Sequence, residues 1–299
     1  MKKVSIVTGG AKGIGAAIGY RLGKQGYAVV IADIDENAGK YRENHFRSEG
    51  IDSFFIKTDV SSEMDVSNMV ERVYDRYGRI DALVNNAGIG FSGKSIEEQT
   101  LHEWRRVIET NLTGVWLCSK YVVKYMKNTG GVFVNVASTR AFQSEPNTEP
   151  YSASKGGIIA LTHSLAVSLS KYNIRVVSIS PGWIDTSSWQ VPPRESYLSS
   201  LDHGQHLTKR VGKPEDVASL VAFLVSDDAS WISGVNFTID GGMTVKMIYI
   251  DENVIQDSLT MLFNDVEFSY QIRKLIEKIR KADNKENIKS KLDEFLKLL

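Results

Sequence analysis

The sequence contains almost no cysteine and no excess of charge of either sign. Cys118 is the only cysteine among 299 residues, which excludes an internal disulfide framework and a cysteine-based zinc site. Lys and Arg together number 36, as do Asp and Glu, so no net field favours nucleic acid or an anionic membrane. We therefore expect a reduced, cytoplasmic protein that has no nucleic-acid partner.

Long hydrophobic runs and prolines are also scarce. No stretch approaches the roughly 18 consecutive apolar residues that span a bilayer. The apolar run after Met1 is broken at Gly9, Gly10 and Lys12, which argues against a signal peptide. Only 6 prolines occur, whereas hydrophobic residues make up 42% of the chain. This composition predicts a soluble globule with a substantial core, neither secreted nor membrane-spanning.

Short runs rich in valine and isoleucine alternate with longer amphipathic stretches from residue 4 to about 240. This alternation is typical of βαβ crossovers, and we predict a doubly wound α/β fold with a parallel sheet. The predicted strands are Val4–Thr8, Ala28–Asp33, Ser53–Lys57, Ala82–Asn85, Val132–Val136, Arg175–Ile179 and Val235–Ile239. The predicted helices include 13–25, 62–77, 101–127, 150–171 and 214–226.

The composition changes after Gly241 and Gly242. Residues 246–299 contain no Gly, Pro, Trp or His, and their apolar periodicity predicts helices over about 257–281 and 286–299. We therefore predict a main domain over residues 1–245 and a helical C-terminal extension over 246–299. We expect the extension to cover an apolar patch of its own subunit or of a second copy.

A glycine-rich turn joins the first predicted strand to the first helix. Its backbone amides can approach a pyrophosphate without obstruction by side chains. Asp33 ends the second strand, 18 residues beyond Gly15, where a carboxylate can bind the adenosine ribose and repel a 2′-phosphate. We therefore predict that NAD is preferred over NADP, although Lys12 in the glycine turn can partly offset the charge of Asp33.

Two further segments end at the same predicted edge of the sheet. Asp59 and Val60 follow the third strand, where Asp59 either holds the adenine amino group or caps a turn. The segment Asn86-Ala87-Gly88 follows the fourth strand. The preceding Asn85 either faces the crevice or ties neighbouring strands together through its amide.

Tyr151 and Lys155 stand four residues apart at the start of a predicted helix, which places them on one face. Because an ammonium favours a phenolate, we expect Lys155 to lower the pKa of Tyr151 and make it a general acid/base. The same spacing also occurs by chance on surface helices. Ser138, which follows the fifth strand, can donate to a substrate oxygen, and Asn111 can hold a water that links the lysine to solvent.

Together these motifs resemble those of the short-chain dehydrogenase/reductase family, over residues 4 to about 243. The matching motifs are Thr8-Gly9-x-x-x-Gly13-x-Gly15, Asn85-Asn86-Ala87-Gly88, Asn111, Ser138, Tyr151-x-x-x-Lys155 and Pro181-Gly182. The resemblance implies a Rossmann fold with a seven-stranded parallel sheet of order 3-2-1-4-5-6-7. It also implies an NAD-preferring oxidoreductase that transfers a hydride between the nicotinamide and a secondary alcohol or ketone, as a homodimer or homotetramer.

The resemblance also implies a role for each matched residue. Tyr151 is the acid/base, Lys155 its pKa modulator and a ribose ligand, Ser138 the substrate-oxygen donor and Asn111 part of a proton relay. Ile184 and Thr186 are expected at the nicotinamide carboxamide. The full set of predicted cofactor contacts is Gly9, Lys12, Gly13, Ile14, Gly15, Asp33, Asp59, Val60, Asn86, Ala87, Gly88, Tyr151, Lys155, Pro181, Gly182, Ile184 and Thr186.

Two features depart from the family pattern: Val177 stands where many relatives have asparagine, and the C-terminal extension has no counterpart. An NAD-dependent epimerase or dehydratase of nucleotide sugars is an alternative, disfavoured by the glycine spacing. A non-catalytic NAD(H)-sensing protein is another, but we would expect it to lack part of the Ser–Tyr–Lys set. No Gly-x-Ser-x-Gly elbow surrounds Ser138, which excludes a serine hydrolase. His203 and His206 lack a third ligand at a clear spacing, so no metal is predicted.

Overall fold

The structure is a computed structural model that describes residues 2–246, 272–275 and 277. The chain divides into two units, Met1–Lys246 and Met247–Leu299. In the second unit, residues 272–275 and 277 are α-helical and lie in the first helix predicted there. The rest of that helix and all of the helix predicted over 286–299 lie outside the described residues.

The first unit is built on a seven-stranded parallel sheet. Its strand order is β3-β2-β1-β4-β5-β6-β7, which confirms the predicted fold class and topology. The chain reverses its direction of winding between β1 and β4, so a crevice is expected at the carboxyl ends of these strands. The strands are β1 (Val4–Thr8), β2 (Ala28–Asp33), β3 (Ser53–Lys57), β4 (Ala82–Asn85), β5 (Gly131–Val136), β6 (Ile174–Pro181) and β7 (Asn236–Ile239).

Helices pack on both faces of the sheet, because successive residues of each strand point to opposite sides. Val7 belongs to the apolar cluster that includes α1, α2 and α8, whereas its neighbour Ile6 belongs to the cluster with α3, α5 and α6. The α-helices are α1 (Gly13–Lys24), α2 (Glu36–Ser48), α3 (Glu63–Tyr77), α4 (Leu101–Ile108), α5 (Gly114–Met126), α6 (Glu149–Leu169), α7 (Ser200–Gly204) and α8 (Pro214–Leu224). None of the described helices is both long and apolar enough to cross a membrane.

One helix prediction is wrong in a way that concerns the site. Residues 101–127 do not form one continuous α-helix, because α4 and α5 are joined by a π-helical segment, Glu109–Thr113. A π-helical turn holds an extra residue and is often found at functional sites. Here the wider turn contains Asn111, whose side chain is fully buried.

Candidate active site

The glycine-rich turn between β1 and α1 has little room for side chains. Gly9 and Gly13 have φ angles of 61° and 57°, in the left-handed region that favours glycine. A Cβ atom on Gly9 would lie 2.9 Å from the Cα of Ala87, and one on Gly15 would lie 2.2 Å from the carbonyl oxygen of Gly9. Ile14 instead packs against the core. Bare backbone at the N-terminus of α1 thus borders the crevice, which fits the pyrophosphate of a dinucleotide.

Thr8 joins this turn to the end of β4. Its Oγ1 accepts hydrogen bonds from the backbone N–H groups of Asn86 and Ala87, at 3.0 and 3.1 Å. The Asn86 amide donates to the carbonyl oxygens of Thr8 and Gly9, at 3.0 and 3.1 Å. The predicted segment after β4 therefore lies against the glycine turn. The sequence analysis did not assign a role to Thr8, although its position directly before Gly9 is a usable signal.

Asp33 lies at the end of β2, beside the glycine turn. One carboxylate oxygen accepts from the Ala11 N–H at 3.0 Å and the other from the Asp35 N–H at 3.0 Å. Lys12 does not pair with Asp33, because its Nζ donates to Asp35 Oδ2 at 2.8 Å. That hydrogen bond holds the pKa of Asp35 below its usual value. The expectation that Lys12 partly offsets the charge of Asp33 is therefore wrong, because Lys12 neutralises Asp35 instead.

Arg42 is a buried residue near the glycine turn that the sequence analysis missed. Its Nε donates to the Ala11 carbonyl oxygen at 3.0 Å, and its Nη2 donates to the Trp189 carbonyl oxygen at 3.1 Å. The guanidinium also lies 5.0 Å from the centroid of the Trp189 ring. Burial lowers the pKa of Arg42. This residue links the glycine turn to the segment after β6, a contact between distant parts of the chain that leaves no local sequence signal.

The residues after β3 have a structural role of their own. Asp59 Oδ1 accepts from the N–H and the hydroxyl of Ser61, at 2.9 and 2.7 Å, which is the turn-capping alternative. Ser62 caps α3 by accepting from the Asp65 N–H. Val60 is buried and packs against Gly114. A Cβ atom on Gly114 would lie 2.9 Å from the Val60 Cγ2 atom.

Asn85 ties two strands together. Its Nδ2 donates to Asn135 Oδ1 at 2.8 Å, and the Asn135 amide in turn donates to Thr162 Oγ1 at 3.0 Å. All three side chains are buried. The interpretation of Asn85 as a link between neighbouring strands is therefore confirmed.

The segment after β6 approaches the glycine turn from the opposite side. Pro181 ends β6, and the Gly182 N–H donates to the Ile239 carbonyl oxygen at 3.0 Å. Thr186 reaches Gly13, where a Cβ atom would lie 3.5 Å from the Thr186 Cγ2 atom. Ile184 forms a backbone bridge with Gly212. Thr186, in the segment after β6, therefore lies close to Gly13 of the glycine turn.

The predicted catalytic side chains meet where β5 ends and α6 begins. Ser138 follows β5 and lies near enough to Tyr151, at the start of α6, to influence the pKa of its hydroxyl. Lys155 lies one turn further along α6, with its Nζ 5.5 Å from the centroid of the Tyr151 ring. The same Nζ donates to the Val136 carbonyl oxygen at 2.8 Å. The Phe91 ring lies 6.0 Å from the Tyr151 ring.

The pKa values differ from the expectation that Lys155 lowers that of Tyr151. Burial raises the pKa of Tyr151, and only the nearby Ser138 side chain and the positive charge of Arg140 act in the opposite direction. Lys155 is itself buried, which lowers its pKa to about 8. The physical reason is desolvation, which disfavours the charged form of both groups.

Asn111 is brought to the same place by the π-helical turn. Its Oδ1 accepts from the Ile89 N–H at 2.8 Å, and its Nδ2 donates to the Ile89 carbonyl oxygen at 3.0 Å and to Ser154 Oγ at 3.1 Å. A Cβ atom on Gly88 would lie 3.3 Å from Asn111 Oδ1 and 3.7 Å from Lys155 Nζ. These two polar atoms therefore face the same small space. Ser154 is a further residue that the sequence analysis did not single out, although it lies within the Tyr-x-x-x-Lys motif.

His203 in α7 and His206 just after it do not form a metal site with a third ligand. His203 Nδ1 accepts from the Val211 N–H at 3.1 Å, and the buried His206 has its Nδ1 3.2 Å from the Asp202 carbonyl oxygen. Across the part of the chain that the structure describes, no group of three His, Cys, Asp or Glu side chains is placed to hold a metal ion.

Comparison with known proteins agrees with this geometry. The family model described as enoyl-(acyl carrier protein) reductase matches residues 9–244. An uncharacterized oxidoreductase of Thermotoga maritima is 58% identical over 251 residues, which cover 83% of this chain and 98% of that protein. The cis-4-hydroxycyclohexanecarboxylate dehydrogenase of Sinomonas cyclohexanicum is 38% identical over 81% of this chain and 97% of its own length.

A solved structure gives the same result. The crystal structure of a 3-ketoacyl-(acyl-carrier-protein) reductase from Brucella melitensis, complexed with NADH, superposes with a TM-score of 0.74 at 33% identity. The match covers 81% of this chain and 98% of that one. With its glycine turn, its sheet order and its Ser–Tyr–Lys group, the chain belongs to the short-chain dehydrogenase/reductase family of oxidoreductases, which bind a nicotinamide cofactor.

Proposed function

We propose that the protein is an NAD-preferring oxidoreductase that interconverts a secondary alcohol and its ketone, with Tyr151 as general acid/base. The observation that carries this proposal is the placement of Ser138 beside Tyr151, with the Lys155 Nζ 5.5 Å from the centroid of the tyrosine ring. A non-catalytic NAD(H)-binding protein has no need of this group of side chains.

Each residue of the group has a separate task in the proposal. When bound, the nicotinamide supplies or accepts the hydride. Tyr151 donates a proton to the carbonyl oxygen during reduction and accepts one from the alcohol during oxidation, while Ser138 donates a hydrogen bond to the same oxygen. Lys155 stabilises the phenolate after the proton has left and also binds the ribose. Asn111 holds a water that connects Lys155 to solvent.

The preference for NAD rests on the carboxylates after β2. Asp33 accepts only one backbone hydrogen bond on each oxygen, so both oxygens keep a lone pair for the ribose hydroxyls. Because Lys12 is paired with Asp35, it does not neutralise the Asp33 carboxylate, whose charge would repel a 2′-phosphate. The protein is therefore expected to use NAD in preference to NADP.

The test is an assay of secondary-alcohol oxidation, in which formation of the reduced coenzyme is measured with NAD and with NADP. The substrates are pools of hydroxy acids, polyols, sugars, hydroxysteroids and simple alcohols. Hydroxy acids belong first in the panel because a relative is named for a secondary alcohol of this type. We expect turnover with NAD and a loss of at least about 100-fold in Tyr151→Phe. Tyr121→Phe is the matched control, since that hydroxyl bonds Glu63 at the surface.

Asp33→Ser tests the coenzyme preference in the same assay. We expect this variant to lose most of the preference for NAD, because it removes the charge that would repel a 2′-phosphate. A wild type that prefers NADP would overturn the role of Asp33. Full activity of Tyr151→Phe would overturn the acid/base assignment, and coenzyme binding without turnover in any pool would favour a sensor.

Self-association is part of the same proposal. Trp116 on α5 and Val167 on α6 expose 45% and 77% of their surface, and a groove of about 430 Å³ between these helices is lined partly by Leu112 and Leu161. Exposed apolar surface of this kind favours contact with another molecule. We infer a homodimer or homotetramer, located in the cytoplasm, where the single buried thiol of Cys118 needs no disulfide partner.

A further inference from the structure

The segment between Ser138 and Tyr151 places an arginine beside the reaction centre. Arg140 lies in a short 3₁₀ helix that begins directly after Ser138, and its backbone N–H donates to Ser138 Oγ at 3.1 Å. Its positive charge acts on the Tyr151 hydroxyl and opposes the rise in pKa that burial causes. Arg140 therefore lies directly beside Ser138, the residue that we propose donates to the substrate oxygen.

The ionic partner of Arg140 is much more exposed than Arg140 itself. The guanidinium forms an ion pair with Glu145, and the side chains are 25% and 62% exposed, respectively. An exposed carboxylate can leave such a pair for water at little cost, whereas the less exposed Arg140 belongs to the short helix that begins directly after Ser138. The pair also demonstrates that a carboxylate can reach the Arg140 guanidinium.

An apolar surface lies beside Tyr151. The Phe91 ring lies 6.0 Å from the Tyr151 ring, inclined by 55°, and 40% of its surface is exposed. The site therefore combines two hydroxyl groups, an aromatic surface and a guanidinium. This combination suits a ligand with an apolar body and an anionic group.

Building on the proposed function, we propose that Arg140 is a specificity-determining residue that binds a carboxylate of the substrate. The substrates are then hydroxy acids and oxo acids, whose carboxylate is separate from the reacting carbon. In the free protein Glu145 occupies the guanidinium, and the substrate carboxylate replaces it. Arginine suits this task because its planar group presents paired N–H donors that match a carboxylate.

A purely structural ion pair would behave differently when either partner is changed. If Arg140 and Glu145 only hold the segment in shape, then loss of either side chain should weaken ligand binding alike. If Glu145 competes with the substrate, its loss should strengthen binding of an acid. Glu145→Gln therefore separates the two cases.

The experiment is calorimetric titration of protein saturated with NAD, with which a ketone cannot be reduced. The probes are 4-oxocyclohexanecarboxylate and 4-oxopentanoate, each compared with its neutral amide. We expect each acid to bind at least about tenfold more tightly than its amide, as for a charge-assisted pair. Arg140→Gln should abolish this preference, Arg140→Lys should retain part of it, and Glu145→Gln should strengthen acid binding several-fold.

Arg47→Gln is the matched control, since Arg47 forms a surface ion pair with Glu43 on α2 and should leave the preference unchanged. Affinity for NAD, measured first, shows that each variant is folded. Three results overturn this inference alone, provided that NAD binding is normal. They are equal affinity for acid and amide, no measurable binding of the acid, and a preference for the acid that survives Arg140→Gln. A wild type that binds no nicotinamide coenzyme overturns the proposed function and this inference with it.

Discussion

A buried lysine next to a half-buried tyrosine is costly for the fold. The ordinary pKa of Lys155 is 10.5, and burial lowers it to about 8. A difference of this size corresponds to about 3 kcal/mol of unfavourable free energy for the buried cation. The hydrogen bond from Lys155 to Val136 recovers part of this cost. The lysine is thus kept for function at the expense of stability.

We expect Lys155→Met to raise the free energy of unfolding by about 1 to 2 kcal/mol at pH 7, while abolishing activity. The unfolded chain keeps the Lys155 proton up to about pH 10.5, whereas the folded protein releases it above about pH 8. The wild type therefore gains stability across this window, so the advantage of the variant should shrink as the pH rises. Urea denaturation at pH 7 and 9.5 measures both effects.

Two results would contradict this account of Lys155. One is a variant less stable than the wild type at pH 7, and the other is a difference between the two proteins that does not change with pH. Lys171→Met is a suitable control, because Lys171 belongs to the 3₁₀ helix Ser170–Tyr172, in which no residue is buried.

At the scale of elements, Arg42 connects three parts of the fold. It lies on α2 and donates to carbonyl oxygens of the glycine turn and of the segment after β6. Trp189, in that last segment, is held in addition by a 2.6 Å hydrogen bond from its Nε1 to Glu215 on α8. Arg42 is therefore a positioning residue, which acts on the cofactor turn through Ala11.

We expect Arg42→Met to weaken NADH binding about tenfold and to lower the free energy of unfolding by about 2 kcal/mol, because two carbonyl oxygens lose their donor. Arg42→Lys should show a similar loss, since an ammonium cannot form the same planar fork. NADH titration, Trp189 fluorescence and urea denaturation are the measurements. An unchanged NADH affinity in both variants would show that the glycine turn holds its shape without Arg42.

At the scale of the whole molecule, the segment beyond the matched domain is the main departure from the family. The family model ends at residue 244, and the first compact unit ends at Lys246. A chain that stops after Lys246 therefore keeps the glycine turn, the catalytic side chains and all seven strands. Its cofactor binding should be retained.

We expect truncation after Lys246 to lower the oligomeric mass or the solubility, because the apolar stripes predicted in residues 247–299 favour contact with a subunit surface. Size-exclusion chromatography with light scattering measures the mass, and NADH titration checks that the domain is intact. An unchanged mass with full solubility would rule out a role for these residues in assembly.

The layer architecture can be read from the amino-acid sequence alone. Valine- and isoleucine-rich runs separated by amphipathic stretches predict a parallel sheet, and the first four strands were predicted with the bounds that the structure has. The motifs around Gly9, Ser138 and Tyr151 identify the family, because each combines a residue type with a position at a strand or helix end. These signals are local, and local patterns can be read from a sequence.

Which charged side chains meet depends on contacts that form only when the chain folds. Lys12 pairs with Asp35, Arg42 bonds to Ala11 and Trp189, and Arg140 acts on Tyr151. Asn111 reaches Ile89 and Ser154 through a π-helical turn that periodicity does not predict. The rise in the pKa of Tyr151 is also caused by burial, which exists only once the chain has folded. Contacts between distant residues and the loss of water around them set the chemistry of the site, and neither is encoded in local sequence.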